Sequence, residues 1–250
     1  MRLRMNKLFL LILAIGIQSI TFANRFVCDT LPQGDQVFMT CSTFSKDSEL
    51  IAIDRYLDGL LHGIQKEWHL NGKLRSINVF QNGVMGDSAL AYYSNGNLKT
   101  RAVQNGTSIT LSATGDTLSV TKMRNGKPYG ISKSFYPNGN KRGVSRSNDS
   151  GKRHGLSEQW REDGTRKDSI VYDDGLIIEA RYYYTSGKLR QHLKKGRDED
   201  VFSAVYFCPK GKKVGKVKKG TGTFIDYTED GSLPEKVYMK NGKVTKVEDI

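Results

Sequence analysis

The chain of 250 residues lacks the motifs from which most catalytic and metal sites are built. It has only three cysteines and no C-x-x-C pair, which argues against a zinc ribbon or a thioredoxin-like redox site. Its four histidines form no H-E-x-x-H or His-x3-His arrangement, and neither a G-x-S-x-G elbow nor a P-loop is present. These absences indicate a protein that is not an enzyme, with no catalytic residue, metal ligand or cofactor.

Long hydrophobic segments are also missing. The apolar run at residues 8–17 is too short to span a bilayer as a helix. No apolar stretch with the helical period survives between the turns, so helix is not expected beyond the leader. Hydrophobic residues make up 37% of the chain, which predicts a thin core and no large ligand cavity.

The N-terminus has the three parts of a secretory signal peptide. Basic residues precede the apolar run, and the small-residue site Thr21-Phe22-Ala23 follows it. The alternative is a short uncleaved anchor. We expect cleavage near Ala23 and an exported protein that is periplasmic, at the cell surface or secreted. The remainder divides into an N-terminal segment, residues 24–57, and a repeat domain, residues 58–250.

Export determines the redox state that we expect for the cysteines. Cys28 and Cys41 are the only close pair, and an oxidising compartment favours a disulfide between them. Cys208 is then left over, and we expect a free thiol there in preference to an intermolecular disulfide.

Glycine is abundant, and it marks regularly spaced turns. Seventeen glycine-centred turns run from Asp58-Gly59 to Asn241-Gly242, at spacings that leave room for one strand and one turn. Asn-Gly and Asp-Gly favour the two-residue type I′ turn, in which both central residues have positive φ. Eleven such pairs start at residues 58, 71, 82, 95, 105, 125, 138, 163, 174, 230 and 241.

A large apolar residue lies four positions before every second turn glycine, which gives a unit of about 23 residues with two strands. We predict that these residues are structural anchors and the main buried side chain of each hairpin. Three units carry a further glycine, at positions 63, 130 and 155, for which a bulge or a close backbone approach is expected. The anchors are Trp68, Tyr92, Leu111, Phe135, Trp160, Tyr183, Phe207 and Tyr227.

The fold class predicted by this pattern is all-β. Successive hairpins form a repetitive antiparallel meander, either as an elongated sheet or as a partly rolled one. His62 and His154 occupy the same slot, directly before a repeat glycine, so we interpret them as part of the repeat geometry.

Three segments carry a family resemblance: "DGLLHGIQKEWHLNGKL", "NGKPYGISKSFYPNGN" and "SGKRHGLSEQWREDGT". The pattern resembles the MORN-variant repeats of the bacterial YwqK-like antitoxin family over roughly residues 55–245. The resemblance implies a hairpin-repeat fold and an antitoxin or immunity-like role, in which the repeat surface masks a toxin. It implies no catalytic residue.

The charge is strongly positive, with a formal net charge of +13 and a pI of about 9.6. Loss of Arg2, Arg4 and Lys7 with the leader would leave 13 − 3 = +10, which favours acidic partners. Lysine without interleaved aromatics argues against nucleic acid. The candidate anion-binding residues are Lys210, Lys212, Lys213, Lys216, Lys218 and Lys219.

The sequence therefore predicts an exported, non-enzymatic repeat scaffold that binds another macromolecule. We expect a protein partner, with a toxin as the specific case. The alternative is an envelope-surface protein that binds anionic lipid or polysaccharide through its lysine-rich face.

Overall fold

The structure, a computed structural model, describes residues 25–195 and 202–250. The predicted signal peptide, residues 1–23, lies outside these residues. The chain divides into two compact units, Met1–Arg101 and Ala102–Ile250. The described residues form strands and turns without a helix, which confirms the all-β fold class. In that part of the chain, no helix therefore has the length and apolar character needed to cross a membrane.

The strands follow one another as a meander. From β1 to β7 and from β9 to β21, every pairing is antiparallel and joins neighbours in the meander. The first unit contains β1 (Arg25–Gln33), β2 (Gln36–Phe44), β3 (Leu50–Leu57), β4 (Leu60–Leu61), β5 (Gly63–Trp68), β6 (Leu74–Gln81) and β7 (Val84–Tyr92), and β8 (Leu98–Val103) continues into the second. The second unit then contains β9 (Gly106–Leu111), β10 (Thr117–Arg124), β11 (Lys127–Phe135), β12 (Lys141–Ser147), β13 (Gly155–Trp160), β14 (Arg166–Asp173), β15 (Leu176–Tyr183), β16 (Leu189–Lys194), β17 (Ser203–Phe207), β18 (Lys213–Lys218), β19 (Thr221–Asp226), β20 (Glu235–Lys240) and β21 (Lys243–Asp249).

One class of connection is the two-residue turn. Both central residues have positive φ, for example 49° at Asn82 and 79° at Gly83. The predicted type I′ geometry is therefore confirmed at these turns. They are Asp58-Gly59, Asn82-Gly83, Asn125-Gly126, Asp174-Gly175, Lys219-Gly220 and Asn241-Gly242.

The second class is a five-residue loop, and here the type I′ prediction is wrong. In the loop after Trp68, His69 N–H donates to Lys73 O at 2.8 Å and Gly72 N–H donates to His69 O at 2.9 Å. Only Gly72 has positive φ, whereas the Asn71 side-chain oxygen accepts the Lys73 N–H at 3.2 Å. Asn or Asp is favoured before this glycine as a local acceptor. The same backbone bonds recur in loops that begin at Ser45, Tyr93, Ser112, Tyr136, Asn148, Arg161, Tyr184, Cys208 and Thr228.

The loop that begins at Ser45 reveals a unit that the glycine count misses. Ser48 takes the glycine position with φ of 64°, and Phe44 takes the position of the anchor. The Ser45 hydroxyl oxygen accepts the Glu49 N–H at 3.2 Å. The repeated loop therefore also occurs within residues 24–57.

The extra glycines in three of the units have positive φ: 84° at Gly63, 68° at Gly130 and 80° at Gly155. The strand register is interrupted beside each of them. A methyl group added at Gly155 would come no closer than 3.7 Å to Arg146, so space is available there. Glycine is needed for its backbone conformation, as at a bulge, and not for a close approach of two chains.

The aromatic anchors are half-buried, so they are not the most buried side chains of the sheet. In most units the strand register shifts at the anchor itself, as between Gln159 and Trp160. This shift and the adjacent loop leave one side of the ring open to solvent. The apolar core of the second unit consists instead of Ala204, Tyr206, Val217, Phe224 and Val237.

A glycine lies at the centre of this core. Gly215 of β18 pairs with Tyr206 on one side and Phe224 on the other. The two rings stack over it, with centroids 3.6 Å apart and planes 9° apart. A side chain at Gly215 would occupy the space in which the rings meet.

Gly215→Ala should lower the free energy of unfolding by about 1–3 kcal/mol, because the added Cβ would lie 2.6 Å from Thr223 O and closer still to Phe224. Urea unfolding followed by tyrosine fluorescence measures the loss. Lys216→Ala, at the next and exposed position, is the control and should change stability by less than about 0.5 kcal/mol. Equal effects of the two variants would contradict the stacked core.

Candidate functional site

The two faces of the sheet in the second unit carry different chemistry. Residues paired across antiparallel strands share a face, and neighbours along a strand alternate. We define the anchor face by the row Val120, Lys133, Val144, Glu158, Ser169, Arg181, His192, Val205 and Lys216. We define the core face by the row Ser119, Ser134, Gly143, Gln159, Asp168, Tyr182, Gln191, Tyr206, Gly215 and Phe224.

The six predicted lysines are all exposed but do not converge on one point. Lys216 and Lys218 project from the anchor face of β18, because Val217 between them is buried in the core. Lys210 and Lys212 lie in the loop before β18, and Lys219 lies in the turn after it. We call residues 210–219 the lysine segment. It is a strip along one strand and its two ends, without a central anion pocket.

The lysine segment is poorly neutralised by its neighbours. Lys216 faces Val205 and Thr223 across the sheet, and Lys218 faces Thr221, so no carboxylate lies opposite either lysine. Elsewhere on the same face, acidic groups pair with cations, as Glu179 does with Arg181 and Glu248 with Lys246. Within the described residues, no ion pair involves the side chains of Lys210, Lys212, Lys213, Lys216 or Lys218.

An open groove lies on the anchor face at β10 and β11. Its volume is about 700 Å³, so the expectation of no large cavity is wrong. Val120, Ile131 and Phe135 supply its apolar surface, and Lys122 and Lys133 its cationic groups. Ile131 is 45% exposed. The core is thin as predicted, and this groove lies at the surface and not inside the core.

At four of the anchors, the residue directly after the anchor links consecutive units, a role that was not predicted from the sequence. His69 Nε2 lies 3.0 Å from Tyr92 O, and the Tyr136 hydroxyl donates to Trp160 O at 2.9 Å. Arg161 donates to Tyr183 O at 2.8 Å. In each case the acceptor is the carbonyl of the next anchor, 22–24 residues along the chain. The feature of the sequence that indicates these links is a long side chain with a polar end, at the position directly after the anchor.

Tyr184 makes the most buried of these links. It is 1% exposed, and its hydroxyl donates to Phe207 O at 2.6 Å. Burial raises the pKa of Tyr184 to about 12, so the phenol keeps its donor proton at neutral pH. Its ring also meets Tyr227 edge-on, with centroids 6.5 Å apart.

The predicted cysteine pair lies in the first unit. Cys28 of β1 and Cys41 of β2 are directly opposite each other and are joined by a disulfide. Cys41 is buried, with 1% of its surface exposed. Cys208 carries a free thiol, which is buried at the start of its loop.

The two equivalent histidines contact the next two-residue turn. His62 Nδ1 lies 3.1 Å from the Asn82 side-chain oxygen. His154 Nδ1 lies 3.4 Å from Asp173 and 3.8 Å from Asp174, so the three groups are close enough to hold a cation. Asn82 occupies the position of Asp174 in the other unit and makes the same contact without a carboxylate. The contact is therefore a feature of the hairpin repeat.

The matched profile is that of the MORN repeat variant, at residues 61–82 and 128–145. The chain contains MORN-variant repeats. Each matched segment includes an anchor, Trp68 or Phe135, and the five-residue loop that follows it. The hairpin at Trp160 has the same loop bonds outside the matched residues.

Two further comparisons add little about function. No curated protein matches the chain. Among solved structures, a porin-like protein from Bacteroides uniformis ATCC 8492 is similar at 10% identity and a TM-score of 0.21, over 90% of this chain and 94% of that one. A TM-score this low supports no argument about this protein.

Tyr184→Phe should lower the free energy of unfolding by about 1–3 kcal/mol, because a buried carbonyl loses its donor. Tyr183→Phe is the matched control. Tyr183 is half-buried, so the loss of its hydroxyl should change the free energy of unfolding by less than about 0.5 kcal/mol. Thermal and urea unfolding of both variants provide the measurement. If both variants lose the same stability, the link to Phe207 O is not a significant interaction.

Proposed function

We propose that this protein is an exported, non-enzymatic repeat scaffold that binds a protein partner. The observation that carries the proposal is the groove on the anchor face. It places exposed apolar surface beside the charged side chains of Lys122, Lys133 and Asp116, a combination typical of recognition surfaces and not of a reaction centre.

The groove predicts the chemistry of the partner. Val120, Ile131 and Phe135 suit an apolar side chain, while Lys122 and Lys133 suit acidic residues that flank it. The net charge of +13 strengthens long-range attraction for such an acidic protein. MORN-variant repeats, matched at two places in the chain, supply a regular scaffold for such a surface.

A more specific form of the proposal is an immunity-like role, in which the partner is a toxin. The support is the resemblance to the YwqK-like antitoxins together with the matched repeats. Export adds a constraint, because the toxin must be present in the same compartment. The support for export is the leader-like sequence at residues 1–23 and the disulfide between Cys28 and Cys41.

The lysine segment favours a second candidate function: binding of an anionic envelope surface, either lipid or polysaccharide. Lys216 and Lys218 are exposed, and in the described part of the chain they face neutral residues across the sheet. Their spread along a strand suits an extended polyanion better than a compact ligand.

Ile131→Glu should abolish stoichiometric co-purification of a protein partner from envelope fractions, because it places a carboxylate in the apolar groove. Ile64→Glu is the matched control: Ile64 occupies the same repeat slot in the first unit, is 40% exposed and lies outside the groove. Quantitative mass spectrometry of tagged full-length protein compares the three samples. Equal retention of the partner by both variants, or recovery of free monomer from the unchanged chain, would contradict the proposal.

Replacing all six lysines of the lysine segment with glutamine should abolish binding to vesicles that contain anionic lipid or to acidic polysaccharide. Binding by the unchanged protein should weaken as salt rises from about 0.1 to 0.5 M, since exposed charges are screened. The six-arginine variant keeps the charge and should retain binding. Co-sedimentation measures all three proteins, and undiminished binding by the glutamine variant would exclude this candidate.

A further inference from the structure

A second concave site lies on the core face of strands β10 to β13. Its volume is about 280 Å³. We call it the hydroxyl cleft, because six short hydroxyl side chains from four strands line it where an apolar core would be expected. They are Ser119, Thr121, Ser132, Ser134, Ser145 and Ser157.

The depression depends on one glycine. Gly143 lies between Ser134 and Gln159 in the row that defines the core face. A Cβ at this position would lie 3.1 Å from Ser134 Oγ and 3.5 Å from Glu158 O. Because the φ of Gly143 is not positive, its backbone does not require glycine. The missing side chain opens the cleft.

One hydroxyl in the cleft is buried without a partner. Ser157 is 6% exposed, and its Oγ makes no hydrogen bond with the described residues. A buried polar atom without a partner is unfavourable and uncommon in native proteins. Since Ser157 lines the cleft, a ligand that enters it can satisfy this oxygen.

Two guanidinium groups complete the lining. The Arg153 guanidinium lies 5.3 Å from the Tyr172 ring centroid and donates to the Tyr172 hydroxyl at 3.3 Å. The Arg142 guanidinium lies 5.8 Å from the ring of Tyr136. Both cations are therefore oriented by tyrosines at the edge of the cleft.

Two carboxyl groups lie close to this arrangement, and one of them, that of Glu158, belongs to a residue that lines the cleft. Glu158 is held by Arg166 at 3.0 Å. Asp168 faces Gln159 in the same row and is 7% exposed. Burial raises the pKa of Asp168, while Lys167 and Arg153 act in the opposite direction.

We propose that the hydroxyl cleft binds a single carboxylated sugar ring. Serine and threonine hydroxyls both donate and accept, so they match the hydroxyl groups of a sugar, and a guanidinium matches a carboxylate in two-point geometry. The volume lies just below the range of about 300–1,000 Å³ for pockets that hold drug-sized ligands, which suits a single ring. The amide of Gln159 adds a donor and an acceptor.

This site differs from the proposed protein-binding groove, although Lys133 lines both. The groove and the lysine segment use the anchor face, whereas the hydroxyl cleft opens on the core face of the second unit. The acidic sugar can be a free monosaccharide or the end of a polysaccharide chain, because both present the same ring and carboxylate.

Titration calorimetry of the full-length protein with D-glucuronate should show saturable binding, with D-glucose and acetate each at least about tenfold weaker. Ser157→Ala and Gly143→Ala should each weaken glucuronate binding by roughly tenfold, the first by loss of a hydrogen bond and the second by filling the cleft. An oligosaccharide that ends in glucuronate distinguishes a chain end from the free sugar, and binding of either supports the site.

Ser76→Ala is the matched control, because Ser76 Oγ is also buried without a partner but lies in the first unit. Both serine variants should melt at the same temperature as the unchanged protein or higher, which separates lost binding from lost folding. Three outcomes overturn the proposal: no saturable binding of glucuronate either free or at the end of the oligosaccharide, undiminished binding by Ser157→Ala, or acetate that binds as tightly as the glucuronate ligand.

Discussion

The hydrogen bond from the residue after an anchor to the carbonyl of the next anchor, made in four of the units, is the interaction that joins consecutive hairpins. A single two-stranded hairpin is marginally stable in water, and the half-buried anchors contribute only part of a core. The links made by His69, Tyr136, Arg161 and Tyr184 join each five-residue loop to the following hairpin. They fix the spacing of consecutive units at the loop end, where no strand pairing is available.

The sequence predicts the meander because its turns are encoded locally. Asn82-Gly83 requires nothing beyond its own two residues, and its geometry is as expected. Asn71-Gly72 is the same dipeptide but lies in a five-residue loop, because an anchor and a register shift precede it. The unit that contains Phe44 and Ser48 was not predicted, because a serine occupies the position of the turn glycine. Local patterns therefore give the elements, while the anchor and the register shift within the same hairpin decide between two turns of one dipeptide.

The candidate sites follow a different rule. The exposure of the lysine segment is predictable, because its residues are charged. The distribution of its lysines along β18 depends on the strand register and is not predictable in the same way. The hydroxyl cleft was not predictable, because its serines are distant in sequence and unremarkable individually. Ser119 and Ser134 meet only through pairing of β10 with β11, and the space beside Ser134 on β12 exists because Gly143 has no side chain. The strand register brings such residues together, and the register cannot be read directly from a single sequence.

The constant offset of the inter-unit links also sets how this chain can change in length. Because each of the four links joins positions 22–24 residues apart, the removal or duplication of one whole two-strand unit leaves a linked loop with a carbonyl at an equivalent position to contact. Removal of one strand residue has the opposite effect, since the side chains beyond it exchange faces and the serines of the hydroxyl cleft would replace the anchors. Such a protein lengthens or shortens in whole hairpins, and the chemistry of its two faces is preserved through each step.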